Sequence, residues 1–185
     1  MQRLVPESTA VVVVDIQERL VAAMPPERVE QVVRAARILV EAARILGAPV
    51  LATEQYPKGL GSTHPSVAEA LGAAGVTVCD KLEFSACDAG TFDAALRDKQ
   101  PRAAIVLGME THVCVYQTVR DLVAKGLDVY VAEDGVASRR DDHREVGLGL
   151  CERAGATITT AETVVFDWLR VASGDAFKQI SKLVR

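Results

Sequence analysis

The chain has 185 residues, of which 49% are hydrophobic, 25% charged and only 4% aromatic. This length and balance predict one domain over residues 1–185 and exclude a disordered chain, a collagen and a coiled-coil rod. The formal net charge of −4 gives no electrostatic reason to expect a nucleic acid or an anionic membrane as a partner.

Apolar runs of strand length alternate with helical patterns along the chain. The first run, Ala10–Val14, is wholly apolar and mostly β-branched, which is typical of a strand buried on both faces. A helical pattern opens at Pro25-Pro26 and ends before Gly47, whereas residues 55–65 lack periodicity and predict a long loop. The other predicted strands are 49–53, 76–79, 103–107, 127–132 and 156–160, and the other predicted helices are 65–71, 88–99, 113–125, 141–154, 162–169 and 176–183.

Six strands with intervening helices predict right-handed crossovers, a parallel sheet and a three-layer α/β/α domain. Ligands of such folds bind at the carboxyl ends of the strands. Asp15 follows the first predicted strand, Lys81 follows the third, and the segment Gly108–Cys114 follows the fourth. A carboxylate, an ammonium and a thiol are therefore expected at one rim of the sheet.

Four cysteines, without a C-x-x-C pair, predict free thiols in a reducing cytoplasm rather than a zinc ribbon. Cys114 stands out because it lies at a predicted helix start, where backbone N–H groups and the helix dipole favour a thiolate. Asp15 could take the thiol proton and later give it to a leaving amine, and backbone N–H groups could bind an oxyanion. Acyl transfer through a thioester requires these groups. The alternatives are a buried apolar Cys114, a loop-capping Asp15 and a solvated Lys81. The cysteines expected to be structural are Cys79, Cys87 and Cys151.

These segments resemble a known family. Val12–Gln17, Lys81 and Ile105–Val115 are similar to the isochorismatase-like cysteine hydrolase superfamily, which includes nicotinamidases, N-carbamoylsarcosine amidases and isochorismatases. Thr53–Gly61 and Gly174–Ile180 resemble its branch of isochorismatase domain-containing proteins. The resemblance implies a Rossmann-like sandwich whose six-stranded parallel sheet has the order 3-2-1-4-5-6, and a homo-oligomer, whether a dimer, a tetramer or larger.

The resemblance also implies roles for individual residues. Asp15 would be the general base and acid, Lys81 the charge that stabilises the thiolate, and Cys114 the nucleophile. A non-proline cis peptide is implied at Met109–Glu110, and the amides of Glu110 and Cys114 are the candidates for an oxyanion hole. The residues considered for substrate contacts are Gln17, Tyr56, Phe84, Thr111 and His112.

One position departs from the nicotinamidase pattern. Gln55 stands where a metal-binding Asp would fall, and His64 is the only histidine nearby. Because catalytic zinc takes three protein ligands, we expect no metal and no other cofactor. A nucleophilic cysteine favours a small amide or carbamoyl compound over isochorismate, whose hydrolases form no covalent cysteine intermediate.

Two other functions remain open at this point. One is a non-covalent, isochorismatase-type hydrolase in which Asp15 is the acid, and the other is a binding or scaffold protein that has lost turnover. A nucleotide-binding Rossmann domain is disfavoured, because the segment after the first strand, Asp15–Arg19, lacks a G-x-G-x-x-G turn.

Overall fold

A computed structural model describes residues 3–185. Its six strands form one parallel sheet in the order 3-2-1-4-5-6, which confirms the predicted fold. Within the described residues, no helix has both the length and the apolar composition needed to cross a bilayer. The strands are β1 (Thr9–Val14), β2 (Val50–Gln55), β3 (Val78–Lys81), β4 (Ala103–Met109), β5 (Asp128–Ala137) and β6 (Thr157–Thr159).

Helices cover both faces of this sheet. Short 3-10 turns lie at Pro6–Ser8 and Ala86–Asp88, and a π-helical turn lies at Thr111–Val115. The α-helices are α1 (Glu18–Val21), α2 (Pro26–Leu46), α3 (Pro57–Leu60), α4 (Pro65–Ala73), α5 (Gly90–Lys99), α6 (Tyr116–Ala124), α7 (Asp141–Arg153), α8 (Ala161–Leu169) and α9 (Gly174–Leu183).

The strands alternate their side chains between two apolar cores. Val11 and Val13 of β1 pack with α2, α4, α8 and α9 on one face. Val12 and Val14 pack with α5, α6 and α7 on the other face. Every residue of β1 is buried, as its all-apolar sequence predicts, because both faces of a parallel sheet are covered by helices.

Several predicted boundaries were wrong for identifiable reasons. The third strand begins two residues late, at Val78, because the amide of Val76 still bonds to Leu71 at the end of α4. The fifth strand extends to Ala137, because β5 bulges between Val131 and Val136 and then pairs with β4 again. The predicted loop 55–65 contains the single helical turn α3, and α1 was missed because one turn is too short to show periodicity.

Candidate active site

Asp15, Lys81 and Cys114 converge at the carboxyl ends of β1, β3 and β4, where the sequence placed them. The Lys81 Nζ lies 2.6 Å from Asp15 Oδ2, and both side chains are fully buried. Thr53 Oγ1 donates to the second oxygen, Asp15 Oδ1, at 2.8 Å. The carboxylate is thus held on both oxygens beneath the rim of the sheet.

Lys81 is the last residue of β3 rather than a residue after it, and its ammonium is enclosed by acceptors. Besides Asp15, Nζ donates to Gln55 Oε1 at 2.6 Å and to the carbonyl oxygens of Glu83 and Phe84 at 3.2 and 3.3 Å. The parallel register pairs Gln55 with Lys81 across β2 and β3. Since an ammonium has only three protons to donate, its hydrogen-bonding capacity is already fully used.

Cys114 lies in the π-helical turn that joins β4 to α6. The turn forms because Glu110 O accepts from the amide of Val115, five residues on, at 3.3 Å. Such turns inside helices are frequent at functional sites. Cys114 is only 6% exposed, and its Sγ lies 3.9 Å from Gln55 Oε1, to which the thiol donates.

The lowered thiol pKa expected from the helix start was wrong, because burial outweighs the local helix geometry. Burial and the negative charge of Asp15 raise the pKa of Cys114 to about 12, against the lowering effect of Lys81. Burial also raises the pKa of Asp15, although Lys81 and Thr53 oppose it. The raised pKa favours the protonated thiol, so a base has to remove its proton, and a carboxylate whose pKa is raised is a better base.

A high thiol pKa alone does not single out Cys114. Burial also raises the pKa of Cys87 and of Cys151 to about 12, and all four cysteines are free. Asp15 and Lys81 act electrostatically on Cys114, whereas neither contributes to the pKa of the other two buried thiols. The neighbouring charge pair, not the pKa, is what distinguishes this cysteine.

The segment between β4 and Cys114 is tightly fixed. The Met109–Glu110 peptide is cis, as the resemblance implies. Gly108 before it has φ +130°, and a Cβ atom there would clash with the carbonyl oxygen of Val14, so only glycine fits. Glu110 Oε2 accepts from both the amide and the Nε of Arg139 at 3.0 Å.

The other sequence candidates are spread around this centre. Gln17 is fully buried and its amide is taken up by the backbone of Gln55 and Gly61, so it braces the β2 end instead of facing the rim. Tyr56 and Phe84 are 51% and 55% exposed, and Tyr56 lines a cavity of about 700 Å³ that also reaches Lys81.

Two candidates lie in the turn itself. Thr111 is fully buried, and its Oγ1 has no hydrogen-bond partner among the described residues. His112 places Nδ1 3.0 Å from Ser138 Oγ, and its ring centroid lies 4.8 Å from that of His143, with the two ring planes tilted by 58°. His112 is thus tied to α7 and to the end of β5.

Sequence reasoning missed two residues of the site, Thr53 and Gln55. They are two apart on β2, so their side chains leave the same face of the strand, and that face carries their bonds to Asp15 and Lys81. The available signal was the polar end of β2, where Thr53 and Gln55 stand at spacing two after the apolar residues 50–52.

The nicotinamidase-type metal does not fit this chain. The side chain of Gln55 is hydrogen-bonded to Lys81 and to the carbonyl of Leu82. Glu54 Oε1 accepts hydrogen bonds from the amide and the hydroxyl of Thr63. His64 lines a separate cavity of about 510 Å³ beside α2 and α9. Within residues 3–185, no group of three or more His, Cys, Asp and Glu side chains is arranged to hold a metal ion.

Comparison with known proteins agrees with this architecture. The isochorismatase domain family matches residues 9–163. The chain belongs to the isochorismatase family. Isochorismatase domain-containing protein 2A of Mus musculus is 35% identical over 99% of this chain and 85% of its own length. The secreted isochorismatase effector Isc1 of Phytophthora sojae is 37% identical over 99% and 87%.

A solved structure shares the whole fold with this family member. The structure of MAR1 ribonuclease from Caenorhabditis elegans superposes with a TM-score of 0.91 at 36% identity, covering 99% of this chain and 92% of that one. The alignment therefore spans the sheet, both helical layers and the carboxyl-end rim that carries the candidate site.

Proposed function

We propose that this isochorismatase-family protein is a metal-independent cysteine hydrolase, which cleaves the C–N bond of a small amide or carbamoyl compound through a thioester on Cys114. The supporting observation is the Cys114 thiol beside a buried carboxylate, Asp15, that is itself ion-paired to Lys81. A nucleophile beside a positioned base is the recognised signature of covalent catalysis.

The first half of the reaction forms the thioester. The sulfur of Cys114 attacks the carbonyl carbon, while its proton passes to Asp15. The amides of Glu110 and Cys114 donate to the oxyanion of the tetrahedral intermediate. The C–N bond then breaks with proton transfer from Asp15 to the nitrogen, and ammonia or an amine leaves.

The second half releases the acid. A water molecule attacks the thioester carbonyl and gives its proton to Asp15, and the C–S bond breaks as the sulfur recovers that proton. Lys81 stays charged throughout, and its positive charge stabilises the carboxylate of Asp15 between proton transfers and the sulfur whenever it is anionic. No step requires a metal or a cofactor.

The partners and compartment follow from the same proposal. A small molecule fits a thiol that is only 6% exposed, and the net charge of −4 favours neither RNA nor an anionic membrane. We propose a cytoplasmic homo-oligomer, supported by free thiols and by the exposed apolar side chains of Leu82 and Phe84 at the rim.

Ammonia release tests the reaction. Wild type and Cys114→Ala are incubated with a panel of small primary amides and carbamoyl compounds, with and without a chelator, and with single-stranded RNA as a separate arm. We expect ammonia from wild type only, unchanged by the chelator, and intact RNA. Equal release by both proteins would exclude Cys114 as the nucleophile, and RNA cleavage without amide turnover would exclude the substrate class.

A further inference from the structure

Gln55 connects the two reactive groups of the site. Its Oε1 accepts from the Lys81 ammonium at 2.6 Å and from the Cys114 thiol at 3.9 Å. Its Nε2 donates to the carbonyl of Leu82 at 2.8 Å. This last bond holds the NH2 end of the carboxamide toward Leu82. The oxygen, and not an N–H, therefore faces both Lys81 and the sulfur.

The backbone of Gln55 is fixed as firmly as its side chain. The Oε1 of Gln17 accepts from the Gln55 amide at 2.8 Å, and the Nε2 of Gln17 donates to the Gln55 carbonyl at 3.1 Å. Gln17 is fully buried and is also bonded to Gly61 at 2.7 Å. The position of Gln55 Oε1 is therefore fixed both by the backbone bonds to Gln17 and by the side-chain bond to Leu82. Preorganised sites require this kind of support.

We propose that Gln55 is a positioning residue that keeps the Cys114 thiol protonated and aligned until substrate arrives, and holds the Lys81 ammonium on Asp15. This inference rests on the proposed function, because the alignment matters only if Cys114 attacks a carbonyl. An acceptor oxygen favours S–H over a bare thiolate, since an oxygen lone pair facing an anionic sulfur is repulsive. Asp15, whose side chain also hydrogen-bonds to the thiol, is then the base that accepts its proton.

The same oxygen restrains Lys81. With Asp15, Gln55 and two carbonyls around it, the ammonium has more acceptors than protons, so these oxygens compete with the sulfur for its N–H groups in the resting state. When Asp15 accepts the thiol proton and becomes neutral, its attraction for Lys81 weakens, and the cation can turn toward the new thiolate. Gln55 thus links thiol deprotonation to the release of the stabilising charge.

Two substitutions test this inference, each with a readout that a purely structural role would not change. Gln55→Glu keeps the size and the acceptor but places a negative charge next to the sulfur. Gln55→Asn keeps the carboxamide but cannot reach both partners. Gln179→Glu on α9 is the matched control, because Gln179 is exposed and bonds only to the carbonyl of Asp175 in its own helix.

The first readout is the rate constant of iodoacetamide alkylation at Cys114 at pH 8, followed by peptide mass spectrometry, and it needs no substrate. We expect Gln55→Glu to lower this rate constant at least about tenfold, because a thiol pKa that is higher by one unit lowers the thiolate fraction tenfold, while Gln179→Glu leaves it unchanged. An unchanged rate constant in a folded Gln55→Glu protein overturns the inference.

The second readout is the p-nitrophenolate burst from p-nitrophenyl acetate, which reports acylation of Cys114. We expect Gln55→Asn to slow the burst roughly tenfold at unchanged amplitude, because small misplacements of catalytic groups cost rate. A wild-type burst rate in Gln55→Asn overturns the inference. If Gln55→Glu does not fold, the burst rate of Gln55→Asn alone tests the role of Gln55. Absence of any burst in wild type would instead contradict the proposed function, while the alkylation rate constant would still test Gln55.

Discussion

Replacing Lys81 by Met should destabilise the fold more than any surface charge change. The substitution keeps an unbranched side chain but leaves Asp15 buried without the cation 2.6 Å away. Breaking a fully buried pair by removing one partner costs about 3–5 kcal/mol. This is a large part of the about 5–15 kcal/mol by which a typical domain is stable. The variant should therefore fold, but its unfolding midpoint should lie at a clearly lower urea concentration.

The loss should depend on pH, and its direction follows from Asp15. Burial raises the pKa of Asp15 in the folded protein, and Lys81 opposes that rise, so Lys81→Met raises the pKa further. The folded variant then holds a proton that the unfolded chain releases above its ordinary pKa of 3.8. Its stability falls as the pH rises through that window, by about 1.4 kcal/mol per pH unit.

Urea unfolding followed by circular dichroism at pH 5 and pH 8 measures both effects. The control is Lys125→Met, since Lys125 pairs with Asp93 on the surface at 2.8 Å, where solvent screens the interaction and little change is expected. The double variant Asp15→Asn/Lys81→Met should recover most of the stability at pH 8, because no buried charge is left unpaired. A loss for Lys81→Met no larger than that of the control, and equal at both pH values, would refute the buried ion pair.

Two further substitutions probe the frame of the site. Gly108→Ala should abolish soluble folded protein, because φ is +130° and the added Cβ meets the carbonyl oxygen of Val14; normal yield and circular dichroism would contradict this. Thr53→Val removes the donor to Asp15 Oδ1 and should raise the pKa of Asp15, moving the acidic limb of the pH–rate profile upward by about one unit. Thr77→Val, at an exposed position before β3, should leave that limb in place.

The fold was predictable because its signals are local. The run Ala10–Val14 is apolar on both faces, and the alternation of strands and helices leaves few topologies once crossovers are right-handed. The rule that ligands bind at strand carboxyl ends then selected Asp15 and Cys114 without any coordinates. The sheet order and the cis peptide came from the family resemblance instead, since neither leaves a trace in hydrophobic periodicity.

The predictions that were wrong concern features that depend on contacts between segments distant in sequence. Whether Gln55 meets Lys81 is set by the register of β2 on β3, and the sequence pattern placed the third strand at 76–79, two residues too early. The expected thiolate at Cys114 came from the local helix start, but its pKa is set by burial against the second core and by the charge of Asp15. Neither the register nor the depth of burial is encoded near the residue concerned.

The central claim is that Cys114 forms a thioester during turnover. The most direct measurement is intact-protein and peptide mass spectrometry after rapid acid quenching of wild type with p-nitrophenyl acetate, with Cys114→Ala in parallel. We expect one acetyl group on the peptide that contains Cys114, lost on treatment with hydroxylamine and absent in the variant. Acetylation elsewhere, or the same hydrolysis rate in Cys114→Ala, would contradict it.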